Sequence, residues 1–257
     1  MENQISFKIT GKYALFTDPI TKIGGEKSSY HIPTYQALKG ITESIYWKPT
    51  FIWIVDEVRV IKPIRTEERN VKPLKFSGGN ELSIYTYLVD VEYEVLAHFV
   101  WNVFREDLIN DRNDNKHYFC AKRMINKGGR RDIFLGSREC QGYVEPCDYG
   151  KTLSYYDHYD QIHYSLMFHG FDYPDEVNSY VDSSECDILY ARFWKPSMNN
   201  GVVKFIPPGK CVIRKAVRKF KPELVQTSGL TEKALLDEIG SKGGCNELDT
   251  TTGQDVR

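Results

Sequence analysis

Hydrophobic and polar residues alternate in QISFKIT, where Ile5, Phe7 and Ile9 take every second position, the period of a half-buried strand. The period then lengthens. In PTYQALKGITESIYW, Tyr35, Leu38, Ile41 and Ile45 share one helical face behind Pro33, a favoured helix-entry residue. TFIWIVDEVRVIKP, rich in β-branched and aromatic residues, predicts a second strand, and the polar stretch from Arg65 to Asn80, with Pro73 and the pair Gly78-Gly79, predicts a loop. LSIYTYLVDVEYEVLAHFVWNVF is too long for one ordinary strand and predicts two strands or a bent one. NDRNDNKHYFCAKRMINKGG supplies Asn and Asp caps, then a helix of about 11 residues that Gly128 ends. RRDIFLGSRECQGYVEP offers a further strand.

Strand–helix–strand twice over is the ferredoxin-like βαββαβ pattern, which RNA-recognition domains also use. Its helices lie roughly antiparallel on one face of the sheet. The end of the first helix, at Tyr46, is therefore expected near the start of the second, at Lys116 and His117. The Tyr-rich stretch 149–164 reads as a surface connection. IHYSLMFHGF, CDILYARFW and the NNG turn before VVKFI indicate a second, β-rich unit. The expected class is α+β: a ferredoxin-like domain over 1–148 and a smaller antiparallel β-sheet domain over 149–222. Residues 223–257 hold a short helix capped by Thr231 and a tail without apolar anchors, expected to be disordered.

Composition adds limits. The chain has 257 residues, 41% of them hydrophobic, and a net charge of −1. FIWIV is too short to cross a bilayer, and MENQISFKIT lacks the apolar region of a secretion signal. The six cysteines are accordingly expected as thiols in a cytoplasm. The neutral net charge hides a segregated distribution. Lys116–Arg131 holds six Lys/Arg and no acid, Lys204–Lys221 holds seven and no acid, and Gly142–Tyr190 has ten Asp/Glu against Lys151 alone. Such segregation gives a basic face to a neutral protein, as a nucleic-acid binder requires; two solvated basic loops would give the same count. Lys204, Lys210, Arg214, Lys215 and Arg218 are the candidates of the second run.

Lys116-His117 is the sharpest candidate for chemistry. A helix N-terminus favours an anion, lysine adds a permanent charge, and histidine exchanges a proton near neutrality. Phosphodiester cleavage needs both kinds of help. A solvent-facing cap is the plainer alternative for the pair, and a core-edge aromatic for Tyr46. A tyrosine phenol titrates near 10, so Tyr46 would orient a hydroxyl, or act as a base if cations lowered its pKa. GGRRDIFLGSRECQGY mixes glycines with Arg130, Arg131 and Arg138, a phosphate-backbone signal without the order of a nucleotide-binding loop. The spacing of cysteines and histidines matches no metal-site grammar, so no metal or cofactor is expected.

Several long blocks, YALFTDPITKIGGEKSSYHIPTYQALKGITESIYWKPTFIWIVDEVRV, DRNDNKHY, GGRRDIFLGSRECQGYVEP and MFHGFDYPDE, closely resemble the type I-C subfamily of the Cas-five proteins. The resemblance covers roughly residues 3–215. It implies a bacterial, cytoplasmic endoribonuclease that processes precursor CRISPR RNA without metal, at the 3′ base of the repeat hairpin. The enzyme would keep the 5′ tag of the guide and sit among the other subunits of the type I-C interference complex. The implied catalytic set falls on Tyr46, Lys116 and His117. Other Cas-five proteins only cap the guide, and duplex DNA is a further partner the resemblance allows.

Overall fold

Four strands and two helices build the frame that holds the candidate site. In a computed structural model that describes residues 3–23, 25–75, 77–173 and 188–219, β1 (Gln4–Ala14) leads to a short helix α1 (Pro19–Ile23) and then to α2 (Tyr35–Ile45). Strands β2 (Phe51–Val60), β3 (Thr66–Val71) and β4 (Ser83–Trp101) follow. After a 3-10 turn at Glu106–Asp111 come α3 (Asp114–Asn126), β5 (Ile133–Phe134) and β6 (Gln141–Pro146). The antiparallel order β6–β1–β4–β2 is that of a ferredoxin-like sheet.

The long apolar run forms one bent strand. Asp90 has a left-handed backbone (φ 51°) in the middle of β4, and its carboxylate takes Lys62 at 2.7 Å and Arg65 at 3.2 Å. On one side of the bend β4 pairs with β3; on the other it runs between β1 and β2. β3 corrects the expected loop at 65–80. TEERNV has Val71 as its only apolar residue, so no hydrophobic period marked it, and backbone pairing with β4 makes it a strand.

Both helices follow the residues that predicted them. Thr34 accepts the Ala37 N–H at 3.2 Å and caps α2. Tyr35, Leu38, Ile41 and Ile45 are all buried against Phe51, Trp53 and Val55 of β2 in one core. Asn113 caps α3 by accepting the Lys116 N–H at 3.0 Å. Gly128 (φ 80°) ends it, with N–H bonds from Gly128 to Ile125 and from Gly129 to Met124, the paired closure that a left-handed glycine permits.

The later strands are β7 (Ile162–His163), β8 (Met167–Asp172), β9 (Ile188–Trp194), β10 (Ser197–Asn199), β11 (Val202–Lys204) and β12 (Ile213–Lys219). They divide between two sheets. β11, β10 and β7 extend the first sheet beyond β2, while β12, β9 and β8 form a sheet of three. Asn200 (φ 47°) and Gly201 (φ 78°) make the tight β10–β11 turn, the conformation that a two-residue hairpin selects. The Tyr-rich connection is more than surface. Asp157 takes the largely buried Arg59 at 2.6 Å, Tyr156 is buried, and Ser154 donates to the Val60 carbonyl at 2.6 Å. The expected helix at Thr231 lies outside the described residues.

Candidate active site

The two helix ends meet. Tyr46, the residue that closes α2, places its hydroxyl 2.9 Å from Nδ1 of His117, in the first turn of α3 and 71 positions away. Rings of Phe51, Phe99 and Trp101 surround the imidazole, and His117 has no exposed surface. Its Nε2 lies 2.8 Å from the backbone carbonyl oxygen of Asp111. A carbonyl oxygen only accepts, so neutral His117 carries its proton on Nε2 and offers the Nδ1 lone pair to the Tyr46 O–H.

Exposure ranks the three expected residues. The side chain of Lys116 is 53% exposed, Tyr46 is 7% exposed and His117 is 0% exposed. Lys116 is ion-paired with the Asp111 carboxylate, which also accepts the Thr50 hydroxyl at 2.8 Å. The ammonium first, and Thr50 after it, hold the Asp111 carboxyl below the usual carboxylate range. Burial, reinforced by Cys120 and Asp111, pushes the Tyr46 phenol up to about 12. The cations nearby do not bring it down to a free base.

The basic candidates occupy separate elements. The exposed Arg130 and Arg131 flank a shallow groove with Trp47, Glu43 and Ser44. Their backbone N–H groups, donating to the Ser44 carbonyl at 3.2 and 3.1 Å, close the C-terminus of α2 beside Tyr46. Arg138 is exposed in the turn between β5 and β6. Gly136 of this segment (φ 91°) is closely packed, since a Cβ there would run into the Leu15 carbonyl. Lys204 pairs with Glu57 at 3.1 Å. Arg214 donates to Asp172 at 3.1 Å and stacks on Tyr190, in a cluster with the buried Arg192. Lys210, Lys215 and Arg218 are exposed.

Sequence reasoning passed over three features. Asp111 is the hub of the site, although it is the first residue of DRNDNKHY. Cys120, one turn after Lys116, lies against the Tyr46 phenol and accepts from Arg123 at 3.0 Å. A groove on the outer face of α3 is lined by Lys116, Phe119, Lys122 and Arg123, with Phe119 exposed; the helical spacing of these residues was the signal for it. Among the described residues no group of three His, Cys, Asp or Glu is arranged to hold a metal ion.

A ferredoxin-like sheet with two helices on one face, and a phenol–imidazole pair beside a lysine where those helices meet, defines a βαββαβ protein with a candidate acid–base site at the helix junction. Residues 4–206 match the family described as CRISPR-associated protein (Cas_Cas5), in its Cas5d form. The chain belongs to that family, in its type I-C branch. It is 34% identical over 151 residues to the CRISPR pre-crRNA endoribonuclease Cas5d of Mannheimia succiniciproducens, covering 50% of this chain and 65% of the relative. The protein of the same name from Thermus thermophilus is 30% identical over 155 residues, covering 56% and 65%. The matches thus span just under two thirds of each relative. Among solved structures, a CRISPR-associated protein superposes with a TM-score of 0.68 at 40% identity, covering 82% of this chain and 96% of that one. A functionally uncharacterized protein from Streptococcus mutans gives 0.67 at 42%, with the same coverage.

Proposed function

We propose that this chain is an endoribonuclease that cuts precursor CRISPR RNA at the 3′ base of the repeat hairpin without using a metal ion. It then remains on the 5′ tag of the guide within the type I-C interference complex, inside the bacterial cell. The observation that carries the proposal is the Tyr46–His117 contact of 2.9 Å with the exposed Lys116 at its rim. No helix among the described residues is long and apolar enough to cross a membrane.

The nucleophile is the RNA 2′-hydroxyl next to the scissile phosphate. As its oxygen bonds to phosphorus, its proton passes to the Tyr46 oxygen while the Tyr46 proton passes to His117 Nδ1. The P–O5′ bond breaks, and the same relay run backwards protonates the leaving oxygen, giving a 2′,3′-cyclic phosphate and a 5′-hydroxyl. A neutral phenol suits this relay, because it needs no phenolate at rest. Lys116 turns from Asp111 to the phosphate and stabilises the charge of the transition state, while the Thr50 hydroxyl stays on Asp111 Oδ2 and keeps that residue in place. Arg130, Arg131, Arg138, Lys210, Lys215 and Arg218 hold backbone phosphates; Lys204 and Arg214 join them only by leaving their carboxylates. In this reading residues 1–148 perform the cut and residues 149–222 support binding of RNA, other subunits or duplex DNA.

The second reading is a guide-capping subunit that does not cut. It is favoured by the internal saturation of the site, since both ring nitrogens of His117 and the Lys116 ammonium already have partners. A single-turnover assay with a repeat hairpin and EDTA decides between them. Cleavage that a single 2′-deoxy substitution abolishes, with binding retained, is the expected result. No cleavage of the all-ribose hairpin selects the capping subunit, and cleavage of the deoxy substrate removes the relay.

A further inference from the structure

We infer that Asp111 is a positioning residue of this site: its carboxylate, clamped by Thr50 and Lys116, pins its own carbonyl on His117 and so fixes the ring that serves Tyr46. The inference rests on the proposed nuclease reading for its kinetic half only.

The clamp acts on a segment held by polar contacts, among them the Arg112 guanidinium, which donates to the Asn102 carbonyl at 3.0 Å. Asp111 ends the 3-10 turn Glu106–Asp111, and that turn has no buried residue. An apolar anchor is therefore absent, and polar contacts set its position. Thr50 is fixed ground for them. It is 1% exposed, and its carbonyl accepts the Asn102 N–H at 2.9 Å, just beyond the β2–β4 pairing. Its hydroxyl donates to Asp111 Oδ2 at 2.8 Å, while Lys116 takes Oδ1. With the side chain held at both oxygens, the Asp111 carbonyl stands 2.8 Å from His117 Nε2.

That carbonyl selects the tautomer. An acceptor opposite Nε2 keeps the proton there and leaves Nδ1 as the acceptor for Tyr46. The alternative tautomer would face two lone pairs on the Asp111 side and two hydrogens on the Tyr46 side unless the phenol turned. The groups that face the ring are Tyr46 from α2, Asp111 from the turn, and Phe51, Phe99 and Trp101 from the sheet. Asp111 Oδ2 lies 3.5 Å from Nε2, so the carboxylate backs the carbonyl in the same direction. A carboxylate orienting a histidine that serves a hydroxyl is a recurrent arrangement in hydrolytic sites; here the carboxylate acts mainly through its own peptide group.

The clamp also makes a prediction that a purely structural role does not. The Asp111 carboxylate holds Lys116 where an RNA phosphate would bind, so removing it frees a cation for the ground state while loosening the relay. Asp111→Ala is expected to bind the hairpin as tightly as wild type or more tightly, and to cut at least tenfold more slowly in single turnover. Asp111→Asn, whose amide oxygen still accepts from Thr50, is expected to recover much of the rate.

Imidazole nitrogen NMR of histidine-labelled, RNA-free protein reads the tautomer directly. Wild type is expected to show His117 as the Nε2–H form, and Asp111→Ala a mixture of tautomers. If Asp111→Ala melts early, Thr50→Val loosens the same clamp without removing the charge and is expected to give the same mixture. A pure Nε2–H tautomer in the variants overturns the inference, whatever the rate does; so does a fall in affinity that matches the fall in rate. Failure of wild type to cut overturns the nuclease reading alone, because the tautomer measurement needs no turnover.

Discussion

The indole N–H of Trp53 donates to the Tyr46 carbonyl at 2.7 Å, so the peptide group of the candidate catalytic tyrosine is tied to the core of the sheet. The Tyr46 ring also packs on Phe51. Removing the hydroxyl therefore leaves the residue seated. Tyr46→Phe is expected to fold, bind the hairpin within a few-fold of wild type and cut at least a hundredfold more slowly, the lower end of what a positioned proton-transfer group contributes (about 10²–10⁴-fold). His117→Ala should show the same split, because in the proposed relay both act mainly in the transition state. Single-turnover rates at saturating protein check both; wild-type rates in the two variants would leave a capping subunit.

Salt dependence reads the phosphate contacts. Each lost contact should lower the log–log slope of affinity against salt by about 0.7–0.9. Reversing the charges of Lys215 and Arg218, exposed on β12, is expected to weaken binding without moving the cut. Reversal at Arg214 should instead lower the melting temperature, since its guanidinium already holds Asp172 at 3.1 Å. Filter binding from low to moderate salt, with melting curves alongside, separates the two effects.

His169 is expected to make the fold acid-sensitive. It is fully buried, stacks on Tyr35 and donates from Nε2 to the Ile206 carbonyl at 3.1 Å. Burial, with Arg192 adding to it, pushes its pKa down to about 3. The unfolded histidine titrates near 6.5. Stability is thus intact above about pH 6.5 and declines between there and pH 3, because the unfolded chain gains the proton first, with a limiting slope of about 1.4 kcal/mol per pH unit. Urea midpoints taken from pH 7 to pH 4 should fall in wild type and fall less in His169→Gln. Equal slopes would mean that other groups govern the acid limb.

Gly136 tests whether the arginine-bearing segment is held by packing. Its φ of 91° and the Leu15 carbonyl, which an added Cβ would run into, leave no room for a methyl group. Gly136→Ala is expected to cost at least about 2 kcal/mol, from the left-handed backbone and the displaced strand end together. An unchanged denaturation midpoint would contradict this.

How much was legible follows from where the information lies. The periods of QISFKIT and PTYQALKGITESI are local, and so are the caps Thr34 and Asn113, which is why the βαββαβ frame and the meeting of Tyr46 with His117 could be read from the chain. β3 could not be read, because its residues are polar and its pairing with β4 is made by backbone alone. The burial of His117 was hidden for a related reason. Its walls, Phe51, Phe99 and Trp101, come from two strands whose register is set by cross-strand bonding. Asp111 was invisible as a hub because Thr50, 61 positions earlier, is its partner. Lys204 and Arg214 looked like free cations for want of knowing that Glu57 and Asp172 face them.

The closure of α2 by Arg130 and Arg131 sets an order in which the molecule can be completed during its synthesis. A nascent chain that has emerged as far as Arg112 already owns Tyr46, yet it has neither the imidazole that meets the phenol nor the amides that finish its helix. Adding α3 brings His117; only the residues after Gly129 bring the two N–H groups that stop the last turn of α2 from fraying. Chains cut short between those points would carry all three candidate residues on an unfinished helix. The ribosome therefore delivers the means of holding this site after the site itself.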